Sequence, residues 1–448
     1  MDIMRVYDNL PVWMQNVACT VEGARIRQGK FGARTQRLIP QYMERAIWDY
    51  PRLCQYRDEK LRSMVAFCYH HVPYYHELFD SLQVDYREVR TIEDLTRIPI
   101  LTKQDVRKYE DRLIADSVSK REIIPMHTSG TTGTGLHFIT TRDAYAEQWA
   151  EYSRYVHQAQ IAIDGWSAYF GGRPVVPKLK DKPPFYRINY SSKEILFSSW
   201  HLKLENYPAY IAALEKYHPA FWHGYPSTIG ALAQYVLDSG TKLSFCPQTI
   251  LLASEEVTLT TIIAIKDAFG VIPLQGYGQT EQVAVFWEYP GSGMRISEDF
   301  SAVELIPEDD SGLCRVVGTT LTNFGMPLLR YDTGDLVTWK LTSEGREICS
   351  IEGRLEDNIK LRDGGILRRL SRLFQMQINI LEAQIIQKSL DLVEFHIVVG
   401  EKWGSSSEDL FRKSIEEYLA NRIGYCIIYE QSIPRTKNGK IKFIVSEL

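Results

Sequence analysis

Apolar residues recur at helical spacing through the first quarter of the chain, then give way to short apolar runs set between turn residues. The pattern predicts mainly helix over residues 1–115, with segments such as 41–48 and 61–68 carrying the periodic positions. From about 120 to 350 short strands (Ile250–Ala253, Val271–Leu274, Val303–Ile306, Arg315–Thr319) alternate with helical stretches such as 226–238 and 258–268, the signature of a layered α/β body. The tail has its own pattern. Ser407 is placed to cap a helix whose first turn carries Glu408 and Asp409 and whose apolar stripe runs Phe411, Ile415, Leu419, with strand-like runs at 392–399 and 425–430 around it. The expected fold class is therefore α/β: a large layered N-terminal domain over 1–352 and a small α+β C-terminal domain over 353–448 that docks and moves.

Composition narrows the ligands. With 448 residues, 44% of them hydrophobic, the chain has material for a sizeable core, and a net charge of −4 offers no footprint for nucleic acid or an anionic membrane. Cysteines 19, 54, 68, 246, 314, 349 and 426 are scattered without any C-x-x-C spacing, as free thiols of a reducing cytosol would be. Asp2, Arg5 and Asp8 interrupt the apolar positions of the first twenty residues, and no stretch reaches transmembrane length, so the expectation is a cytoplasmic protein acting on small molecules. His70, His71 and His76 flank a proline-containing turn without cysteine or carboxylate spacing and receive no metal role.

The chemistry starts at Thr128-Ser129-Gly130-Thr131-Thr132-Gly133-Thr134-Gly135, where hydroxyls and glycines crowd between two strand-like segments. Glycine lets successive backbone N–H groups converge on an anion, and the hydroxyls add donors, so the loop reads as a triphosphate cradle. Gly130 to Gly135 has P-loop spacing, but Leu136 and His137 stand where that motif needs Lys and Ser or Thr, which excludes a Walker-type site. The strand-like flanks, Ile123–Met126 and the alternation Leu136, Phe138, Thr140, make it the connection of a hairpin.

Three further motifs follow in order. Gly276-Tyr277-Gly278-Gln279-Thr280-Glu281 offers an aromatic face for a base, a hydroxyl and a carboxylate suited to Mg²⁺. Tyr331-Asp332-Thr333-Gly334-Asp335 sets Asp335 after a tight turn, where it can accept from both hydroxyls of a ribose. Arg354 supplies a cation in the charged run 353–360 at the domain junction. Near the end, Pro434-Arg435-Thr436-Lys437-Asn438-Gly439-Lys440 carries the Asn-Gly turn signal just before Lys440.

Taken with Ser129–Gly133, His223-Gly224-Tyr225-Pro226-Ser227 and Ala253-Ser254-Glu255-Glu256, this ordered set resembles the adenylate-forming superfamily of acyl-CoA synthetases, peptide-synthetase adenylation domains and luciferases. The likeness spans about residues 60–448 and is greatest to the phenylacetate-CoA ligase branch with its CapK-like members. The resemblance implies ATP, Mg²⁺ and CoA as co-substrates and a small, aryl-type carboxylic acid as partner, with no nucleic acid or membrane. It implies that Thr128, Ser129, Gly130, Thr131, Thr132 and Gly133 hold the β- and γ-phosphates, and that Thr280 and Glu281 manage the α-phosphate and Mg²⁺. Adenine would be framed by Tyr277, between Gly276 and Gly278, and by Ser254 and Glu255; the ribose would lie on Asp335 and Arg354. Lys440 would stabilise the transition state of adenylation, and Glu356 would be the hinge about which the small domain turns. Some relatives hold a structural zinc where this chain has Phe286, Trp287, Glu288 and Arg295, so no zinc is expected.

The acyl pocket is expected along Phe170 and Arg173, the Trp222-His223-Gly224-Tyr225 segment, and the residues near Gly276, with Arg173 able to pair with a second anionic group. Two alternatives accompany the CoA ligase reading: an adenylating enzyme whose acceptor is an amine, a hydroxyl, a carrier protein or a cofactor, and a nucleotide-binding protein without catalysis.

Overall fold

The structure is a computed structural model that describes residues 3–127, 136–308, 312–354, 358–367, 370–374, 379–400, 402–436 and 439–448. The chain divides into two compact units: Met1–Ile26, Ile161–Gln275 and Gly353–Leu448 form one, Arg27–Gln160 and Gly276–Glu352 the other. Gly353, the expected start of the small domain, is where the chain re-enters the first unit.

In the first unit the strands Thr249–Ala253, Phe221–Gly224, Ser167–Gly171 and Glu194–Ser198 lie side by side and parallel, with Tyr186–Asn189 antiparallel at the edge. Alternation assigns the two faces. Ala168, Phe170, Ile195, Phe197, Trp222, Ile250 and Leu252 are buried against the helices Tyr207–Tyr217, Pro226–Ser239 and Leu259–Phe269, while Tyr169 and His223 point to the other side. Local chemistry sets the helix ends: Pro226 takes the first helical position, Thr258 caps Leu259–Phe269 by accepting from the Thr261 N–H, and Gly240 and Gly270 close their helices in the left-handed conformation.

The C-terminal part of this unit is a sheet in the order Gly424–Tyr429, Leu392–Val399, Ile380–Ser389, Ile444–Ser446, crossed by the helix Ser405–Leu419. The expected stripe Phe411, Ile415, Leu419 is buried on Ile385, Val393, Phe395 and Ile397. Its start differs from expectation. The helix begins two residues before Ser407 with Gly404 at the cap, and no side chain caps it. The short polar run Ser405-Ser406-Ser407 lies within the first turn because the apolar stripe, not the cap, fixes where the helix packs.

In the second unit the helices Ala33–Arg45, Tyr50–His71, Pro73–Leu82 and Arg142–Gln158 accompany strands in the order Ser301–Pro307, Cys314–Thr320, Tyr331–Thr342, Gly345–Arg354, Gly293–Ile296, Val285–Tyr289, Leu274–Gly278. The strand expected at Val271–Leu274 starts where that expectation ends. Gly276 and Gly278 lie within it and pair with Trp287 and Val285 in the antiparallel ladder. Among the described residues no helix is long and apolar enough to cross a membrane.

Charge ties the helices of this unit to its sheet. Asp299, buried before the Ser301–Pro307 strand, accepts from Arg45 at 2.6 Å and Arg154 at 2.7 Å, and Glu298 beside it accepts from Arg57 and Arg346. Burial alone would raise the Asp299 carboxyl, but the two guanidiniums hold it below its ordinary value. Removing the carboxylate leaves two buried arginines facing each other. Asp299→Asn is expected to destabilise the protein by about 3–5 kcal/mol in denaturant unfolding; an unchanged midpoint would contradict this structural role.

Candidate active site

The strands flanking the hydroxyl-rich loop, Ile123–His127 and His137–Thr141, pair antiparallel with His127 opposite His137, as a hairpin requires. The loop residues, Thr128 to Gly135 and thus Ser129, Gly130, Thr131, Thr132 and Gly133, lie outside the described residues, as does Glu356.

In the second unit the structure joins two of the predicted motifs directly. The Tyr277 hydroxyl donates to Asp335 Oδ2 at 2.7 Å and accepts from the Gln279 amide, whose oxygen in turn accepts from the Ala284 N–H at 3.2 Å. Burial, and then the neighbouring Asp335 charge, push the Tyr277 hydroxyl well above its ordinary range, so it stays a neutral donor. One face of its ring stacks on Phe286 with centroids 4.5 Å apart. The Tyr331–Asp335 turn is held from within: Asp332 accepts from the Gly334 N–H and Thr333 from the Asp335 N–H. Glu281 is buried and accepts from the Tyr331 hydroxyl at 3.2 Å, with half-buried Thr280 beside it in the turn. Among the described residues no cluster of three His, Cys, Asp or Glu side chains has the arrangement to hold a metal ion. A Mg²⁺ at Glu281 would take its other ligands from phosphate oxygens and water, which suits its preference for few protein carboxylates.

In the first unit Lys440 is the centre. Its Nζ donates to the Ser254 carbonyl at 2.8 Å and lies 5.4 Å from the centre of the Tyr225 ring. Ser254 has φ +74, a left-handed conformation rare for a residue with a side chain, which turns its carbonyl out of the strand direction. Glu255 next to it accepts from the Ser227 N–H at 3.1 Å, at the start of the Pro226–Ser239 helix, and its other oxygen is buried without a hydrogen-bond partner. Burial raises its pKa, against the pull of that N–H, Arg435 and Lys440. Arg354 ends the Gly345–Arg354 strand, exposed.

The turn that presents Lys440 is braced by residues that sequence reasoning passed over. Arg435, quoted only as part of the motif, donates to Glu382 Oε1 at 2.5 Å and to the Gly439 carbonyl at 3.2 Å, and Glu382 also accepts from the Ile433 N–H. Gly439, at φ +74, runs so close to the Ser199–His201 turn that a Cβ would stand 2.2 Å from Ser199 Oγ. The signal for Glu382 was present: it is a lone acid in the strand Ile380–Ser389 and is buried.

The expected acyl pocket divides into two groups. Phe170 and Trp222 are fully enclosed in the core, Phe170 stacked on Phe197 and Trp222 against Phe269, so their assignment as pocket lining is corrected to packing. The reason is the strand period: both point to the helix-covered face. Gly224 serves close packing, since a Cβ there would stand 2.1 Å from the Phe170 carbonyl oxygen. On the opposite face Tyr169, Arg173, His223 and Tyr225 are partly exposed or border that side. Arg173 is already paired: Glu194 Oε2 lies 3.5 Å from it and Glu194 Oε1 lies 3.3 Å from His223 Nε2. Glu194, missed in the sequence, opens the strand Glu194–Ser198 ahead of the apolar run Ile195-Leu196-Phe197.

The fold is that of adenylate-forming enzymes. A solved 2-hydroxyisobutyryl-CoA ligase, in the postadenylation state with R3-HIB-AMP, superposes with a TM-score of 0.68 at 17% identity over 90% of this chain and 92% of its own. An anthranilate CoA ligase bound to anthranoyl-AMP gives 0.51 at 17% identity, covering 73% and 67%. In sequence, Protein CapK of Staphylococcus aureus is 23% identical over 458 aligned residues, 99% of both chains, and phenylacetate-coenzyme A ligase of Thermus thermophilus is 24% identical over 84% of both. Residues 362–447 match the CapK C-terminal domain family. Over most of its length the chain is thus similar to CapK and phenylacetate-coenzyme A ligase in sequence and to adenylate-forming CoA ligases in fold.

The brace around the lysine turn makes a structural prediction. Gly439→Ala forces a side chain into Ser199 and into a left-handed backbone, so amide exchange over residues 433–442 is expected to quicken about tenfold, with a stability loss of about 1–2 kcal/mol. Unchanged protection there would contradict the close docking of the turn.

Proposed function

We propose that the protein uses ATP to activate a small carboxylic acid as its acyl-adenylate, releasing pyrophosphate, and then transfers the acyl group to the thiol of CoA with release of AMP. The observation that carries this reading is Lys440: a cation on a braced turn, its ammonium set on the carbonyl of a left-handed residue beside Tyr225. When the carboxylate oxygen attacks the α-phosphorus and the bond to pyrophosphate breaks, negative charge grows at the reacting centre. A positioned ammonium stabilises that charge more than it does the ground state.

The other residues have positioning roles in this reading. Asp335, held through Tyr277, accepts from ribose hydroxyls; Tyr277 and the Ser254-Glu255 segment border the base; Thr280 and Glu281 face the α-phosphate, with Glu281 holding Mg²⁺. That ion, when bound, screens the phosphate charge and orients the leaving pyrophosphate. The hydroxyl loop at 128–133 binds the outer phosphates. The segment 353–448 is proposed to turn about Glu356 after pyrophosphate leaves, withdrawing Lys440 before the acyl acceptor enters.

A second reading keeps the adenylate and changes the acceptor to an amine, a hydroxyl, a carrier protein or a cofactor. The likeness to Protein CapK over the whole chain favours it, as does the match of residues 362–447 to the CapK C-terminal domain. The two readings part at the second step. Thioester formation on adding CoA supports the first; AMP release that requires a different nucleophile supports the second.

Incubation with ATP, Mg²⁺ and a panel of acids is expected to release pyrophosphate only when a suitable acid is present. Lys440→Ala should slow this step by on the order of 10²–10³-fold, the scale for loss of one charge-stabilising donor. A variant as fast as the wild type would remove Lys440 from the mechanism.

A further inference from the structure

His223 lies near the end of the strand Phe221–Gly224, in register with Tyr169 on the next strand, and Tyr225 follows that strand as the cap of the Pro226–Ser239 helix. Lys440 stands by Tyr225, one residue past the end of this strand. Two residues back along the chain, roughly 7 Å if extended, the sheet face of His223 and Tyr169 carries a polar group centred on Glu194. His223 Nε2 lies 3.3 Å from one carboxylate oxygen, and Arg173 and Asn189 lie 3.5 Å from the other. The Arg173 guanidinium rests over the Tyr169 ring at 4.7 Å, and the His223 and Tyr169 rings are 5.0 Å apart. A polar track therefore leads from the lysine into the unit, on the sheet face opposite the helices Tyr207–Tyr217, Pro226–Ser239 and Leu259–Phe269, with Cys19 and Glu22 of the helix Val12–Phe31 near its Arg173 end.

The sequence placed Arg173 here as a partner for a second anion. Glu194 changes that. Its side chain is 12% exposed, against 33% for Arg173 and 28% for His223, so the acid sits behind the two groups and neutralises the cation from within. What faces outward is polar but charge-balanced. A hydrocarbon laid over it would strip water from an arginine and a histidine and return no hydrogen bond. A second carboxylate would stand against Glu194, with like charges a few ångströms apart. A hydroxyl meets both demands, because it accepts from the guanidinium and donates to the carboxylate or to the imidazole.

From this we infer that the substrate is a hydroxylated carboxylic acid, its hydroxyl held by the Arg173–Glu194–His223 group while its carboxylate lies near Lys440. The inference rests on the acid-activation reading above and names the substrate class for it. Glu194 is the residue that sets the class, by cancelling the charge that would otherwise select a dicarboxylate.

Two matched sets of acids test it on the full-length protein: valerate, its ω-hydroxy congener and glutarate; and benzoate, para-hydroxybenzoate and terephthalate. Each is measured by calorimetric binding and by acid-dependent pyrophosphate release. The wild type is expected to prefer the hydroxy acid of at least one set over both its congeners by about 10–10²-fold in Kd and in kcat/KM. Glu194→Gln, which uncovers the arginine charge, should move the preference toward the dicarboxylate by about tenfold or more. Arg173→Leu should abolish the hydroxyl preference, so the result does not depend on one variant folding. A wild type that prefers the plain acid or the dicarboxylate in both sets, or that binds none of the six, overturns the inference; so does a Glu194→Gln protein with unchanged ratios. The two proposals fail separately: selective binding of a hydroxy acid without pyrophosphate release removes the activation reading and leaves the subsite, and pyrophosphate release without hydroxyl selectivity does the reverse.

Discussion

A buried guanidinium fixes the turn on which the proposed chemistry depends. Arg435 is gripped by Glu382 from a neighbouring strand and holds the carbonyl of Gly439, and through that pair a C-terminal tail becomes a rigid presentation of Lys440. A lysine side chain has several freely rotating bonds, and a tail adds backbone freedom to them. Catalysis by one charge needs both removed, because a misplaced ammonium in water interacts with the reacting phosphate only weakly. Ser254 completes the restraint from the other side with a backbone carbonyl turned by a strained φ. A strained residue, a buried ion pair and a glycine packed against a serine hydroxyl all converge on one side chain, the arrangement expected where binding energy is used to hold geometry.

Much of the architecture was legible because it depends on periodicity. The alternation of apolar runs and helical stretches located the strands at 249–253, 301–307 and 314–320 and the helices at 226–239 and 259–269, and the stripe Phe411, Ile415, Leu419 located the C-terminal helix. Failures arose where side-chain identity misleads about backbone. The strand expected at Val271–Leu274 runs instead over Leu274–Gly278, through two glycines, and Ser407 looks like a cap yet lies inside a helix. In the candidate site, the joining of Tyr277 to Asp335 followed from motifs that each carry their own signal. Glu194 and Glu382 carry none of that kind: each is a single carboxylate whose Arg and His partners lie 21 to 53 residues away in sequence, so only the folded chain reveals what it neutralises.

The strand period also decides what an aromatic-rich segment means. Phe170 and Trp222 alternate with Tyr169 and His223, and one residue of offset separates core from site. Read as composition, the segment offers a flat apolar slot. Read by face, it offers a tyrosine, an imidazole and a charge-balanced arginine, and the apolar rings contribute only the rigidity behind them. The likeness to CapK and the common fold leave this question open to local chemistry, since fold alone does not select a substrate.

The contact between Arg435 and Glu382 spans 53 positions of sequence, joining the last loop of the chain to the first long strand of its C-terminal sheet. Exchange of modules between related enzymes meets a practical boundary here. A graft limited to the final loop would import the lysine and leave its clamp behind, whereas a cut before Ile380 transfers the two as a working set. Recombination, in the laboratory or in evolution, is thereby steered toward inheriting the whole sheet as one cassette.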